Sequence, residues 1–248
     1  MSTGLIKSWS YSRLADFETC AYRAKLKIID KIPEPDRPLK PGQTEHANDR
    51  GTRIHEAIEA FIRGKGPFPV EADKFKPAIE SLKTRFAAGA VSLEGEWGFD
   101  RDWVPCDYND RKKVWLRVKL DASVLLTQKH LLVVDYKSGR RDGNEIKHGE
   151  QTMLYGLTAA IRHPKVTHID TELWYIDQKP GFNIADESRP VSRWLYHLKM
   201  FNNRGLKMTN ATEFKPNPSS YACKWCPYKE GACQFAYVEG KPVRRKGQ

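Results

Sequence analysis

Long apolar runs are missing from this 248-residue chain. Nothing in it approaches the ~20 consecutive apolar residues that cross a bilayer. The opening stretch from Met1 to Leu14 lacks the basic-then-apolar pattern of a secretory signal, so we expect the chain to stay in the cytoplasm. Cysteine is scarce, with 5 residues in all, and in a reducing compartment these argue against a disulfide framework. No internal repeat is present, and the short basic end from Lys241 to Lys246 is the single low-complexity stretch.

What is present is the composition of an ordinary globular protein, 40% hydrophobic and 29% charged. The length suits one α/β domain with an appendage, or at most two small domains. The charge is one-sided: 42 lysines and arginines against 31 acidic residues leave a formal +11. Such an excess favours a polyanionic partner, because basic side chains that neutralise phosphates release condensed counterions.

Hydrophobic spacing predicts a first helix from Tyr11 to Ile29, capped by Ser12, then a Pro-rich link from Pro33 to Gly42. Further helices are predicted over Asp49 to Arg63 and Ala72 to Ala88. The period then changes to that of strands at Gly95 to Val104, Val114 to Leu126 and Leu131 to Tyr136, with a hairpin at Gln128-Lys129-His130. A helix from Glu145 to Arg162, a strand from Ile169 to Asp177 and a helix from Val191 to Arg204 follow. This order implies an α/β fold, a mixed sheet flanked by helices.

Asp121 lies on one predicted strand, and Asp135 and Lys137 close the next. A hairpin between them can set Asp121 beside the end carrying Asp135. Two carboxylates meeting there suit Mg²⁺ or Mn²⁺, hard cations that prefer oxygen. Asp135 and Lys137, two apart, leave the strand on one face. A lysine so placed can orient a nucleophile and stabilise developing negative charge.

The ordered set Arg50-Gly-Thr-Arg-Ile-His55-Glu, Asp121, Asp135-Tyr-Lys-Ser and Gln151-Thr-Met-Leu-Tyr155 resembles the RecB-like branch of the PD-(D/E)XK nucleases. The resemblance runs from about Arg50 to Tyr175 and implies a restriction-endonuclease-like core. It also implies that His55, Asp121 and Asp135, with the Tyr136 carbonyl, hold one or two divalent cations. Lys137 would position the attacking water, and Gln151 and Tyr155 would shape the wall of the site, touching DNA or supporting Lys137. Glu94 and Glu96 are both candidates for a further acidic position.

Cys223, Cys226 and Cys233 form C-x2-C-x6-C near the end, whereas Cys20 and Cys106 stand alone. Clustered reduced thiols point to a metal, and Cys20 is the candidate fourth ligand. One cysteine far upstream and three near the end resembles the iron–sulfur nucleases, the AddB-type and the CRISPR-associated RecB-like exonucleases. So does Ser10-x-Ser-Arg-Leu-x-x-Phe-x-x-Cys20-x-Tyr22. That resemblance implies a structural [4Fe–4S] cluster on Cys20, Cys223, Cys226 and Cys233. Zn²⁺ binds four thiolates equally well and stays open as the alternative. Cys106 reads as a free thiol, and Trp225, Tyr228, Phe235 and Tyr237 as packing around the cluster or as stacking platforms for bases.

The expected organisation is a helical arm over residues 1–45, a nuclease core over 46–210 and a cysteine lobe with basic tail over 211–248. The resemblance implies a metal-dependent DNA exonuclease acting on single strands or duplex ends. Recombination, repair, CRISPR adaptation and phage DNA replication would all fit, with protein partners in any such complex. A non-catalytic DNA-binding subunit of the same fold and an RNA-directed hydrolase are the competing expectations.

Overall fold

The computed structural model describes residues 4–36, 38–39, 41–139, 141–179 and 184–237. The basic tail, residue 140 of the expected turn after Lys137, and residues 37 and 40 of the Pro-rich link lie outside them. The chain divides into two compact units, Leu39–Phe201 and the pair of segments Met1–Pro38 and Asn202–Gln248.

In the terminal unit, α1 (Tyr11–Thr19) starts at the expected residue. Ser10, not Ser12, is the cap, and its hydroxyl accepts the Arg13 N–H. The long first helix is also broken. Cys20 adopts an extended backbone, and the chain restarts as α2 (Ala21–Ala24) and a π turn over Lys25–Ile29. Arg204 grips Glu18 with two hydrogen bonds, at 2.8 and 2.6 Å, and the buried Tyr228 donates to the Ile32 carbonyl at 2.9 Å.

The larger unit opens with α3 (Ala47–Ile62), a 3-10 turn (Val70–Phe75) and α4 (Lys76–Ala87). The expected helix from Ala72 starts late because Pro77 has no N–H to give an α turn before it and suits only its opening positions. Then come β1 (Val91–Phe99), β2 (Pro105–Cys106), β3 (Leu116–Thr127), β4 (His130–Lys137), α5 (Glu145–Arg162), β5 (His168–Tyr175), β6 (Ile184–Pro190) and α6 (Val191–Leu195). The helix expected from Val191 to Arg204 breaks at Tyr196-His197 and resumes as α7 (Leu198–Thr209); α8 (Ser220–Lys224) belongs to the terminal unit.

The strands form a six-stranded sheet in the order β2-β1-β3-β4-β5-β6. All pairs are antiparallel except β4 with β5, which run parallel because α5 carries the chain back across the sheet. β6 escapes sequence reading: Ile-Ala-Asp-Glu-Ser-Arg-Pro has one branched apolar residue, and as an edge strand it needs only backbone pairing with β5.

One face of the sheet is covered by α3 and α4. Ile54, Ile58 and Ile62 form a buried stripe of period four against Ala122, Val134 and Tyr136, and Phe75 stacks on Trp174 at 5.1 Å. Burying each isoleucine contributes roughly 1.5–3 kcal/mol. On α5, Gly156 gives room to the buried Trp194 of α6, whose indole N–H donates to the Ile169 carbonyl at 3.1 Å. A Cβ on Gly156 would lie 2.3 Å from the indole ring, while one on Gly149 of the same helix meets nothing within 4 Å. We therefore expect Gly156→Ala to destabilise the protein by about 1–3 kcal/mol through overpacking. Gly149→Ala should stabilise it by up to about 1 kcal/mol through helix propensity. Paired thermal melts check both signs.

Candidate active site

The site begins with a break in strand pairing. β3 and β4 pair as far as Ala122 with Val134, and the next would-be pair, Asp121 with Asp135, is not bonded. The β1–β3 ladder skips the same place, passing from Leu93–Ala122 to Gly95–Leu120 with Glu94 unpaired at φ +51°. β4 nevertheless runs on beside β5 as far as Lys137 with Tyr175. The freed Tyr136 N–H is taken by the Asp121 carboxylate at 2.5 Å.

Because the strands separate here, groups from both helical layers reach one cleft, which His55, Glu94, Asp121, Asp135, Gln151 and Tyr155 help to line. From α3, His55 Nδ1 lies 3.0 Å from the other Asp121 oxygen. From β4, Asp135 and Lys137 point toward α5. The Lys137 ammonium sits 2.6 Å from Asp135 Oδ2 and donates to Gln151 Oε1 at 2.9 Å. Gln151 Nε2 donates to Tyr155 Oη at 2.5 Å, and Tyr155 in turn donates to Asp135 Oδ1 at 2.7 Å. The four side chains thus close a ring, and the spacing of Gln151 and Tyr155 by one helical turn is what lets both join it. Glu94 reaches the cleft, where it pairs with Lys119 at 2.6 Å, whereas Glu96 is exposed and does not line it.

The electrostatics are those of a crowded acidic hollow. Burial and the neighbouring Asp135 charge raise the Asp121 carboxyl, against the opposing pull of His55. Burial alone would lower His55, but its bond to Asp121 and the charges of both aspartates leave it raised. Tyr155 is raised well above an ordinary phenol by burial, so it remains a donor. His148, one turn before Thr152 on α5, is pushed down to about 4 by burial and by Lys137, and stays neutral.

A divalent cation fits these groups. Asp135 is only 6% exposed, and its Oδ2 faces the Lys137 ammonium without a well-aligned hydrogen bond. A buried carboxylate oxygen with that spare capacity, beside a second carboxylate and an imidazole, is a donor set suited to a hard ion. Sequence reading missed the supports around it. Arg50 clamps Asp177 with two bonds of 2.9 Å and reaches the Ser138 carbonyl, tying α3 to the ends of the central strands. Gly51 packs close to the same residue: a Cβ there would lie 2.9 Å from Ser138 Oγ and would turn that hydroxyl aside.

A model of the PD-(D/E)XK nuclease superfamily matches residues 8–234. The chain belongs to that superfamily. The nuclease is also similar to solved structures. One is a provisionally named exonuclease from Eubacterium rectale, at TM-score 0.48 and 10% identity, covering 96% of this chain and 91% of that one. A second is the protein SSO0001, at 0.40 and 15%, covering 90% and 84%. A third is an alkaline exonuclease from Laribacter hongkongensis, at 0.30 and 12%, covering 80% and 91%. No curated protein matches it. The six-stranded mixed sheet flanked by helices is consistent with a restriction-endonuclease-like core.

The terminal unit gathers the other predicted set. Cys20, Cys223, Cys226 and Cys233 all line one pocket, together with Arg23 and Phe235. The Asn217 N–H donates to Cys20 Sγ at 3.4 Å and the Tyr237 N–H to Cys223 Sγ at 3.3 Å. Burial raises the Cys226 and Cys233 thiols. Cys106 lies apart on β2 as a free thiol. Tyr228 is fully buried and Phe235 packs edge-on to Tyr22 at 5.0 Å, while Trp225 is exposed. Among the described residues no helix is long and apolar enough to cross a membrane.

The ring around Lys137 generates a specific expectation. Gln151→Ala removes the one neutral group that fixes the ammonium while leaving Asp135 and Tyr155 bonded. Nuclease turnover should fall roughly 10–100-fold with little change in substrate affinity or in circular dichroism. Unchanged turnover would show that Lys137 needs no such support.

Proposed function

We propose that this nuclease hydrolyses DNA phosphodiesters with a divalent cation, Mg²⁺ or Mn²⁺, and acts from single-stranded or duplex ends. The observation that carries the reading is the meeting of His55, Asp121 and Asp135 in one cleft at the strand break, with the Lys137 ammonium 2.6 Å from Asp135. The net charge of +11 favours a phosphate polymer. The preference for ends rests on the resemblance of the ordered motifs to the RecB-like branch.

In this reading His55, Asp121, Asp135 and the Tyr136 carbonyl hold the cation. When bound, it activates water and neutralises charge on the phosphate. Asp121 is oriented for that task by Tyr136 N–H and His55. The Lys137 ammonium, held between Asp135 and Gln151, faces the scissile phosphate, positions the nucleophile and stabilises charge developing on the phosphoryl oxygens. Tyr155 keeps its proton and fixes Asp135, so neither Gln151 nor Tyr155 exchanges protons with the substrate.

We further propose that Cys20, Cys223, Cys226 and Cys233 hold a structural [4Fe–4S] cluster. The shared pocket and the two backbone donors to sulfur support this. No three of these sulfurs gather within 4.8 Å. A closed zinc site, with bonds of ~2.3 Å, would draw them to about 3.8 Å. Cross-linking residues about 200 apart in sequence would also strongly restrict the unfolded chain.

Two measurements test these readings separately. Incubated with end-labelled DNA and Mn²⁺, wild type should release short products from the ends, and Lys137→Ala should lose at least ~10³-fold of that rate. Equal inertness of wild type and variant would leave a DNA-binding subunit, and cleavage of RNA alone would redirect the substrate. Protein purified without oxygen should be brown and contain iron and acid-labile sulfide. Colourless protein with one zinc per chain would replace the cluster by zinc.

A further inference from the structure

At the end of β4 remote from the cleft, two histidines and an aspartate converge. His130 starts β4, His168 starts β5, and the parallel register sets them side by side. Asp170, two residues along β5, leaves the same face, and Ser188 on β6 stands directly opposite it. His130 lies five residues before Asp135, about 16 Å along the strand.

The chemistry at this spot differs from that of the cleft. His130 Nε2 is 2.7 Å from Asp170 Oδ2, and His168 Nε2 is 4.0 Å from Asp170 Oδ1. The two rings meet edge to face at 5.2 Å, each turning Nε2 toward the carboxylate. Ser188 Oγ donates to Asp170 Oδ1 at 2.6 Å and lies 2.9 Å from His168 Nε2. Among the described residues this is the one trio of His, Cys, Asp and Glu whose ligand atoms all lie within 4.8 Å of one another. All three are half-exposed, so an ion has access from solvent. Among the described residues no lysine or arginine pairs with Asp170, and its charge adds to that of Asp186 on the neighbouring Glu172. Among the described residues, then, only the two histidines pair with this acidic strip.

We propose that His130, His168 and Asp170 bind one borderline divalent transition-metal ion of the Zn²⁺ class, with Ser188 holding Asp170 in orientation. Two imidazole nitrogens and one carboxylate oxygen suit such an ion, whereas Mg²⁺ and Ca²⁺ prefer oxygen alone. Three ligands on paired strands need only small side-chain rotations to close on bonds of ~2.0–2.2 Å. On binding, the inward Nε2 lone pairs turn to the ion and each Nδ1 carries the proton. The ion pins β4 to β5 at their shared start and, through Ser188, steadies the edge strand β6.

The competing explanation is a hydrogen-bonded ladder that needs no ion, and Co²⁺ separates the two. Full-length protein with its cysteine site intact, freed of loosely held divalent ions by dialysis against a mild chelator, is titrated with Co²⁺ in excess Mg²⁺, which fills the carboxylate cleft. Wild type should take up one more Co²⁺ per chain than His168→Ala or Asp170→Asn. The extra ion should give weak visible absorption, not the intense near-ultraviolet band of a thiolate site. Both variants should keep Mg²⁺-dependent nuclease activity, which shows that they fold, and either alone suffices if the other does not. Ser188→Ala should weaken uptake roughly 10–100-fold without abolishing it. Equal Co²⁺ uptake and affinity in wild type and the folded variants would overturn the proposal.

Discussion

The arrangement depends on one substitution of bonding partner. At the point where β3 and β4 would pair Asp121 with Asp135, the carboxylate of Asp121 takes the Tyr136 N–H in place of a backbone carbonyl. A buried N–H left without an acceptor would be costly, so the strands can part only because this side chain satisfies it. Their separation puts two carboxylates side by side in a hollow that α3 and α5 can both reach. The cost appears in Asp121, raised by burial and by its acidic neighbour. A positive ion bound there, as proposed, would relieve that cost.

Around this break the two helical layers have different tasks. The α3 layer contributes His55 and is anchored by a buried isoleucine stripe and by the Arg50 clamp, so the imidazole is aimed by packing it takes no part in. The α5 layer contributes Gln151 and Tyr155, which join Asp135 and Lys137 in a ring of three hydrogen bonds closed by the Lys137–Asp135 ion pair. Lys137 is thereby held beside a carboxylate without being neutralised by it alone. At the far end of the same strand a nitrogen-rich trio offers a site for a softer ion. One strand thus presents oxygen chemistry at its end and imidazole chemistry at its start.

Much of this was legible in the chain. The period-two runs and the apolar stripe of α3 announce a sheet with a covering helix, and the bounds of α5 follow directly from its spacing and Pro164. Spacing puts Asp135 and Lys137 on one strand face and Gln151 and Tyr155 on one helix face, whereas their grouping with Asp121 and His55 into one set came from the resemblance to the RecB-like branch. What was not legible depends on distant partners. The polar strand β6 exists only through pairing with β5, and the break at Cys20 lies inside a run whose helical periodicity is unbroken. The Arg50–Asp177 clamp spans 127 positions. The trio of His130, His168 and Asp170 becomes visible only once the parallel register of β4 and β5 is known.

The most direct test of the central claim is a crystal grown with Mn²⁺ and measured for anomalous scattering. The account predicts a peak within bonding distance of Asp121, Asp135 and His55, at the gap where β3 leaves β4. Well-ordered carboxylates at that gap, with manganese bound elsewhere in the larger unit, would contradict it.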